Sequence, residues 1–172
     1  MQDDCPYCGD GVDVLLTVPL AQIRLPTRCH ISPNDGGHLL AVPGRHVPNR
    51  VTLSRAELLA IDYCTILAAR ALQKVFGSSW FNFQENGNWA TSPMRAHIHQ
   101  HIYGRHPDAI DQRYGEALRF PLRAELDHWH VPGPDPSQVA GLRSHLRELR
   151  RLSWASDFEA AIEAAHDESP PS

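Results

Sequence analysis

An alternation of polar and apolar side chains over residues 96–103 constrains the fold of this chain more than any other part of it. The segment reads Ala-His-Ile-His-Gln-His-Ile-Tyr, with a histidine at every second position from His97 to His101. A period of two predicts a β-strand in which the three histidines share one face. Ile98 and Ile102 then lie on the opposite face, which we expect to be buried.

Three imidazoles on one strand face favour a chemical role. Side chains two positions apart are separated by roughly 6.6 Å, which suits gripping one phosphoryl group or serving two separate sites. A neutral imidazole is a nucleophile near neutral pH, and neighbouring imidazoles can donate to anionic oxygens. A solvated or metal-binding face is the alternative. However, no Asp follows His99 where metallo-hydrolases place one, and the next Glu, Glu116, is too distant for a cupin-type site.

The preceding residues predict short strands around one long helix. Ser54 and Glu57 form a capping box, and apolar residues at helical spacing continue to Phe76, before Gly77. Runs of extended pattern predict further strands over Val12 to Val18, Ile23 to Ile31, His38 to Val42 and Trp80 to Gln84.

The composition changes after Arg105, so we predict one domain over residues 1–115 and a C-terminal extension over 116–172. Asp135 and Pro136 predict the start of a helix whose leucine stripe packs on the core. A last short helix is expected from Ser156, followed by a disordered tail from His166. For the His-x-His at 128–130 we expect a structural role.

Composition excludes several classes of function. The chain has 172 residues, 42% of them hydrophobic, and a formal charge of −4, so it can bury a core and we expect no specific nucleic-acid binding. It contains no apolar run of membrane-spanning length and does not begin with a secretion signal, so we expect a cytoplasmic protein that does not enter a membrane. The single lysine, Lys74, is followed by Val75, which excludes a P-loop.

The four cysteines divide into a pair and two single residues. Cys5 and Cys8 form a Cys-x-x-Cys next to Pro6 and Gly9, a turn that suits a metal-binding knuckle better than a redox site. Cys29 and Cys64 are predicted to be buried packing residues.

Three segments together resemble the histidine triad (HIT) family. Residues 96–105 are similar to its His-φ-His-φ-His-φ signature with a trailing Arg, although Gln100 occupies one apolar position. Residues 37–47 resemble the family's Gly-His strand that runs into Pro-x-Arg/Lys-His. Residues 5–8, Cys-Pro-Tyr-Cys, resemble the start of many bacterial members.

The resemblance implies an α+β fold with an antiparallel sheet, one long helix and a twofold homodimer. It implies cleavage at the α-phosphate of a purine nucleotide conjugate, either a dinucleoside polyphosphate or a nucleoside phosphoramidate. His99 would attack phosphorus, His101 would donate to a phosphate oxygen and His97 would support the geometry. Asn86 matches a family position that lines the nucleotide pocket.

The resemblance also implies a structural zinc ion. In zinc-bearing relatives the ligands are the two cysteines, the histidine after Pro-x-Arg/Lys and the first triad histidine, which are Cys5, Cys8, His46 and His97 here. Four protein ligands leave no open position on zinc, so this metal would hold the structure and not react.

Two departures from the family pattern affect the substrate. Ser92-Pro93-Met94 stands where relatives carry Gly-Gln-Ser/Thr, and Pro93 removes a backbone donor. His30 occupies the position where relatives often place the Asp or Asn that binds the ribose. A zinc-stapled nucleotide-binding module with little or no turnover is therefore the alternative to a hydrolase.

Overall fold

The fold is a curved antiparallel sheet with helices on one face. The computed structural model describes residues 5–8, 13–85, 96–120, 122–125, 128 and 130–167. Within these ranges the sheet order is β1-β2-β3-β5-β4, and every neighbouring pair is antiparallel. Its strands are β1 (Val14–Val18), β2 (Ala21–Arg24), β3 (His38–Pro43), β4 (Trp80–Glu85) and β5 (Gln100–Arg105). The predicted α+β class and antiparallel sheet are confirmed.

The long helix α1 (Arg55–Phe76) forms where the local sequence predicts it. The Ser54 hydroxyl accepts from the Glu57 backbone N–H, and the Glu57 carboxylate accepts from the Ser54 N–H, so both halves of the capping box are present. Gly77 ends the helix with a left-handed φ of 70°, a conformation that glycine adopts without steric cost.

The two faces of the sheet have different coverings. Leu39 and Ala41 of β3 and Ile102 of β5 belong to the apolar core that includes α1. Because strand side chains alternate, His38, His101 and Tyr103 point to the opposite face. The histidine face therefore lies away from α1.

Two C-terminal helices extend the same core. Helix α2 (Pro136–Arg150) begins at the predicted Asp135 cap, and its Leu142, Leu146 and Leu149 are buried in the cluster that contains α1. Helix α3 (Ser153–Asp167) also packs on α1, where Phe158 stacks on Tyr63 at 5.3 Å between ring centroids. The predicted leucine stripe on the core is confirmed. The predicted division at residue 115 stays a prediction.

Four boundary predictions differ from the structure. The second strand, predicted to reach Ile31, ends at Arg24, before Pro26, because proline supplies no donor to a strand ladder. The ladder of β5 begins at Gln100, and residues 96–99 have no regular secondary structure. Helix α3 begins at Ser153 and not at Ser156, and it continues through His166, where a disordered tail was predicted. Residues 168–172 lie outside the described ranges.

Two glycines let the turn before β3 approach strand β5 closely. The backbone at Gly36 and Gly104 is so close that a Cβ on either residue would collide with the other's main chain. Gly36 also has a φ of 128°. Glycine at both positions therefore lets the turn before β3 pack closely on β5.

In the part of the chain that the structure describes, no helix combines the length and apolar character that crossing a bilayer requires.

We expect Leu146→Ala to lower the free energy of unfolding by about 2–5 kcal/mol, because it opens a cavity between α2 and α1. The matched control is Leu152→Ala, whose side chain is 45% exposed and whose loss should change stability by about 0.5 kcal/mol or less. Urea denaturation followed by circular dichroism measures both. A C-terminal extension that unfolds in its own transition, with the main transition unchanged, would contradict the shared core.

Candidate functional site

The three predicted histidines lie in one buried site and come from a single segment of the chain. His97 and His99 precede β5 and His101 lies in its second position, and all three side chains are buried. The Ile98 N–H donates to the Val47 carbonyl at 2.7 Å, which holds the backbone in place before β5 begins. The rings of His99 and His101 are 4.7 Å apart between centroids.

A backbone carbonyl fixes the tautomer of His99. Its Nδ1 lies 2.9 Å from the carbonyl oxygen of His97. A carbonyl oxygen can only accept, so Nδ1 carries the proton and Nε2 of the neutral ring keeps its lone pair. Burial lowers the pKa of His99 below its ordinary value, which keeps the ring neutral. The site therefore holds a neutral imidazole with one nucleophilic nitrogen.

A second backbone group fixes the protons of His38 and His101. The His30 N–H donates to His38 Nδ1 at 3.3 Å, so the proton of neutral His38 is on Nε2. That proton is donated to His101 Nδ1 at 2.9 Å. His101 must then carry its own proton on Nε2, a buried atom with no hydrogen-bond partner among the described residues. The chain of bonds ends in one unused N–H donor beside His99.

Burial keeps these imidazoles neutral. It lowers the pKa of His101 to about 2, with His99 and His30 adding to the effect, and it lowers the pKa of His38 well below the ordinary value. His30, His38 and His101 have nitrogens close enough to be considered a metal site. However, His38 Nε2 carries a proton while Nδ1 accepts from the backbone, so this cluster is a hydrogen-bonded chain and His38 is not a ready ligand.

The Cys-x-x-Cys meets two histidines as the resemblance implies. His97 Nε2 donates to the Pro43 carbonyl at 3.1 Å, which leaves the Nδ1 lone pair facing Cys5 Sγ at 3.4 Å and Cys8 Sγ at 3.7 Å. His46 Nδ1 lies 3.2 Å from Cys8 Sγ. Around a tetrahedral zinc ion, sulfur and nitrogen ligands are expected about 3.6 Å apart from their usual bond lengths. The four residues therefore fit a closed zinc site.

Tyr7 links the cysteine pair to the triad. It lies between Cys5 and Cys8, and its ring packs on His99 with centroids 4.6 Å apart at 40°. The edge of the same ring faces His97 at 6.1 Å. A segment whose spacing predicts only metal binding thus also supplies a contact with the nucleophilic imidazole.

His30 lies beside the triad but is already bonded. Its Nδ1 is 2.9 Å from the hydroxyl of Tyr103, and its ring stacks on His38 at 5.0 Å and on His101 at 5.6 Å. Its assignment as a substrate-binding residue stays a prediction. The predicted Asn86 and the departures at Ser92-Pro93-Met94 lie outside the described residues.

Three residues of the site are not predicted by the sequence reasoning. His38 lies in a strand that the sequence predicts, but no sequence pattern indicates its hydrogen bond to His101, which joins β3 to β5. Tyr7 and Tyr103 were not singled out. Tyr103 could have been found, because it continues the alternation one step beyond His101. Cys29 and Cys64 are buried and lie outside the metal cluster, as predicted.

Comparison with known proteins identifies the domain. The family model for the HIT domain matches residues 24–108. None of the curated protein sequences compared with the chain matches it.

Solved structures of several histidine triad proteins share the fold. A zinc-bound histidine triad family protein from Mycobacterium smegmatis is 18% identical with a TM-score of 0.60, covering 85% of this chain and 95% of that one. A hypothetical histidine triad nucleotide-binding protein from Sulfolobus tokodaii is 16% identical (TM-score 0.56; 86% and 95% covered). A histidine triad protein from Sinorhizobium meliloti is 19% identical (0.53; 78% and 87%). At these identities the likeness establishes the fold.

The depressed histidine pKa values predict a loss of stability in acid. Below about pH 6.5 the unfolded chain binds protons on imidazoles that the folded protein keeps neutral, so the free energy of unfolding falls as the pH falls. His101, with a folded pKa of about 2, contributes up to about 1.4 kcal/mol per pH unit between pH 6 and 4. We expect His101→Gln to flatten the pH dependence by about this amount, measured by urea denaturation at several pH values. Parallel curves for the variant and the wild type would contradict the assignment.

Proposed function

Since residues 24–108 form a HIT domain and the chain belongs to the histidine triad family, we propose that it is a nucleotidyl hydrolase or transferase. It cleaves at the α-phosphate of a purine nucleotide conjugate, a dinucleoside polyphosphate or a nucleoside phosphoramidate. One observation carries the proposal. The nucleophilic Nε2 of a neutral His99 lies in the same buried site as an N–H donor of His101 that has no partner among the described residues.

In the first step His99 Nε2 attacks the α-phosphorus, a nitrogen–phosphorus bond forms, and the leaving group departs with the electron pair of its bond to phosphorus. The attacking ring gains positive charge. Its Nδ1–H already donates to the His97 carbonyl, and this hydrogen bond strengthens as the charge develops. His97 thus supports the geometry of the nucleophile through its backbone.

His101 stabilises the phosphoryl group during transfer. Its Nε2–H is a fixed, buried donor, held in place by the bond from His38 to its other nitrogen. A donor that is already oriented and desolvated stabilises the charge on a phosphate oxygen without reorganisation.

In the second step a water molecule attacks the phosphorus of the nucleotidyl-histidine intermediate and loses a proton to solvent, which balances the proton that the departed leaving group takes up. The nitrogen–phosphorus bond breaks, the nucleoside monophosphate leaves, and His99 returns to its neutral tautomer. If another nucleophile replaces water, the same intermediate gives transfer in place of hydrolysis.

We expect His99→Ala to lower kcat on an AMP phosphoramidate by about 10³-fold or more, because it removes the attacking nitrogen. The melting temperature should stay close to that of the wild type, and calorimetry should still show AMP binding. The control is His145→Ala, on α2 outside the site, which should keep full activity. Wild-type turnover by the His99 variant would contradict the proposal.

One contact favours the alternative of a nucleotide-binding module with little turnover. The Tyr7 ring packs on His99, which places an aromatic group against the nucleophile. The same calorimetry distinguishes the two functions, because wild-type protein that binds AMP but releases none from a conjugate has the second.

We further propose that Cys5, Cys8, His46 and His97 hold a structural zinc ion, which stabilises the N-terminal segment and takes no part in either step. The four ligand atoms lie within 4.8 Å of one another. The His97 tautomer presents a lone pair to the two sulfurs.

We expect purified protein, kept reduced and free of chelators, to contain about one zinc per chain by elemental analysis. Cys8→Ser should lower the zinc content strongly, and the cobalt-loaded protein should lose part of its thiolate-to-cobalt absorption. The control is Cys29→Ala, which removes a buried thiol outside the cluster and should keep the metal. Wild-type protein without stoichiometric zinc would contradict the site.

The homodimer stays a prediction. Strand β4 lies at one edge of the sheet, and it exposes 59% of Trp80 and 50% of Phe83. An edge strand with exposed aromatic side chains is suited to pair with a second copy. The cytoplasmic location and the absence of nucleic-acid binding also stay predictions.

A further inference from the structure

A cavity of about 550 Å³ opens next to the histidine site. One wall is the turn before β3, which contributes His30, Ser32 and Asp35. The other lining residues come from described parts of the segment between β5 and α2, from Asp111 to Pro132. The HIT domain match ends at residue 108, so these walls lie beyond the matched domain.

A buried carboxylate holds the segment after β5 against the turn before β3. The side chain of Asp35 is 3% exposed. One of its oxygens accepts from the Ile110 N–H at 2.8 Å, and the other accepts from Asp111 and Gln112 at 3.3 and 3.2 Å. A carboxylate that accepts three backbone N–H groups holds the segment firmly against the turn.

Two further side chains complete the attachment. Gln112 donates to the carbonyls of His30 and Arg119, at 3.3 and 2.8 Å, and accepts from the Arg119 N–H at 3.1 Å. Arg105, at the end of β5, donates to the carbonyls of Gln112, Arg113 and Glu116. The wall next to His30 is therefore a fixed part of the fold.

His30 joins the cavity to the catalytic histidines. One face of its ring stacks on His101 at 5.6 Å, and Phe120 meets the same ring edge-on at 5.5 Å. The His30 ring therefore lies between His101 and Phe120 of the cavity lining. A nucleotide whose α-phosphate is held at His99 can extend past His30 into the cavity.

The lining indicates the chemistry of the occupant. Among the described lining residues the carboxylates come from Asp35, Asp111 and Glu125 and one guanidinium from Arg119, and the imidazoles of His30, His128 and His130 complete the polar lining. This charge balance disfavours a polyphosphate chain. Phe120 is 37% exposed and offers a ring for stacking, while Val131 and Pro132 add apolar surface. A planar, uncharged group with polar edges fits this lining.

We propose that this cavity binds the heterocyclic base of the nucleotide, with Phe120 as its stacking surface. The extension thereby determines which nucleotides the site accepts. The proposal rests on the proposed function, since the base reaches the cavity from a phosphate held at His99 and His101.

The test compares AMP with ribose 5-phosphate, which lacks the base, by calorimetry. Phe120→Ala should weaken AMP binding about 10- to 100-fold, the usual range for the loss of one base–aromatic stack, and leave the affinity for ribose 5-phosphate unchanged. Phe120→Tyr should keep AMP affinity. The matched control is Leu122→Ala, whose side chain is 69% exposed, lies in the same segment and does not line the cavity.

Equal AMP affinity for the Phe120→Ala and Leu122→Ala proteins would overturn the proposal. So would a Phe120→Ala protein with unchanged AMP affinity but altered relative rates on AMP phosphoramidates of different amines, because the cavity would then hold the leaving group. Failure of the proposed function is seen elsewhere, in turnover that survives His99→Ala. Wild-type protein that binds no AMP would overturn both.

Discussion

The site depends on backbone groups that decide where each imidazole carries its proton. The N–H of His30 makes His38 Nδ1 an acceptor, and the carbonyl of His97 makes His99 Nδ1 a donor. Once these two protons are placed, it follows that His99 Nε2 keeps a lone pair and that His101 Nε2 carries a donor without a partner in the described part of the chain. Main-chain groups can do this because the fold of the backbone fixes their positions, whereas a side chain could rotate away.

Burial makes this arrangement effective and also costs stability. Each buried imidazole is kept neutral by desolvation, so each nitrogen has one role, as donor or as acceptor. The same burial makes the folded state less able to take up protons than the unfolded chain. A site of neutral histidines therefore lowers the free energy of unfolding in acid. The apolar core that α1, α2 and α3 share stabilises the folded state against this loss.

The elements that could be predicted from the sequence are those that contacts between neighbouring residues determine. The cap of α1 depends on residues three apart, and the cap at Asp135 on its immediate neighbours. The alternation around His99 places the triad on one face without knowledge of any partner strand. The features that depend on contacts between distant positions could not be predicted. The start of α3 and the attachment of Gln112 to Asp35 across 77 positions follow from packing that no local pattern contains. The hydrogen bond between His38 and His101 could be predicted only in part. It depends on the register of β3 and β5, which the residues alone do not specify.

The contact between Cys5 and His97 joins positions 92 apart in the chain. A metal ion held by both closes more than half of the polypeptide into one loop. Such a cross-link restricts the unfolded ensemble, as a disulfide does, and its effect grows with the length of the loop. A zinc ion bound by the Cys-x-x-Cys segment, which also brings Tyr7 onto His99, would in this way stabilise the whole domain. The four cysteines themselves form no disulfide.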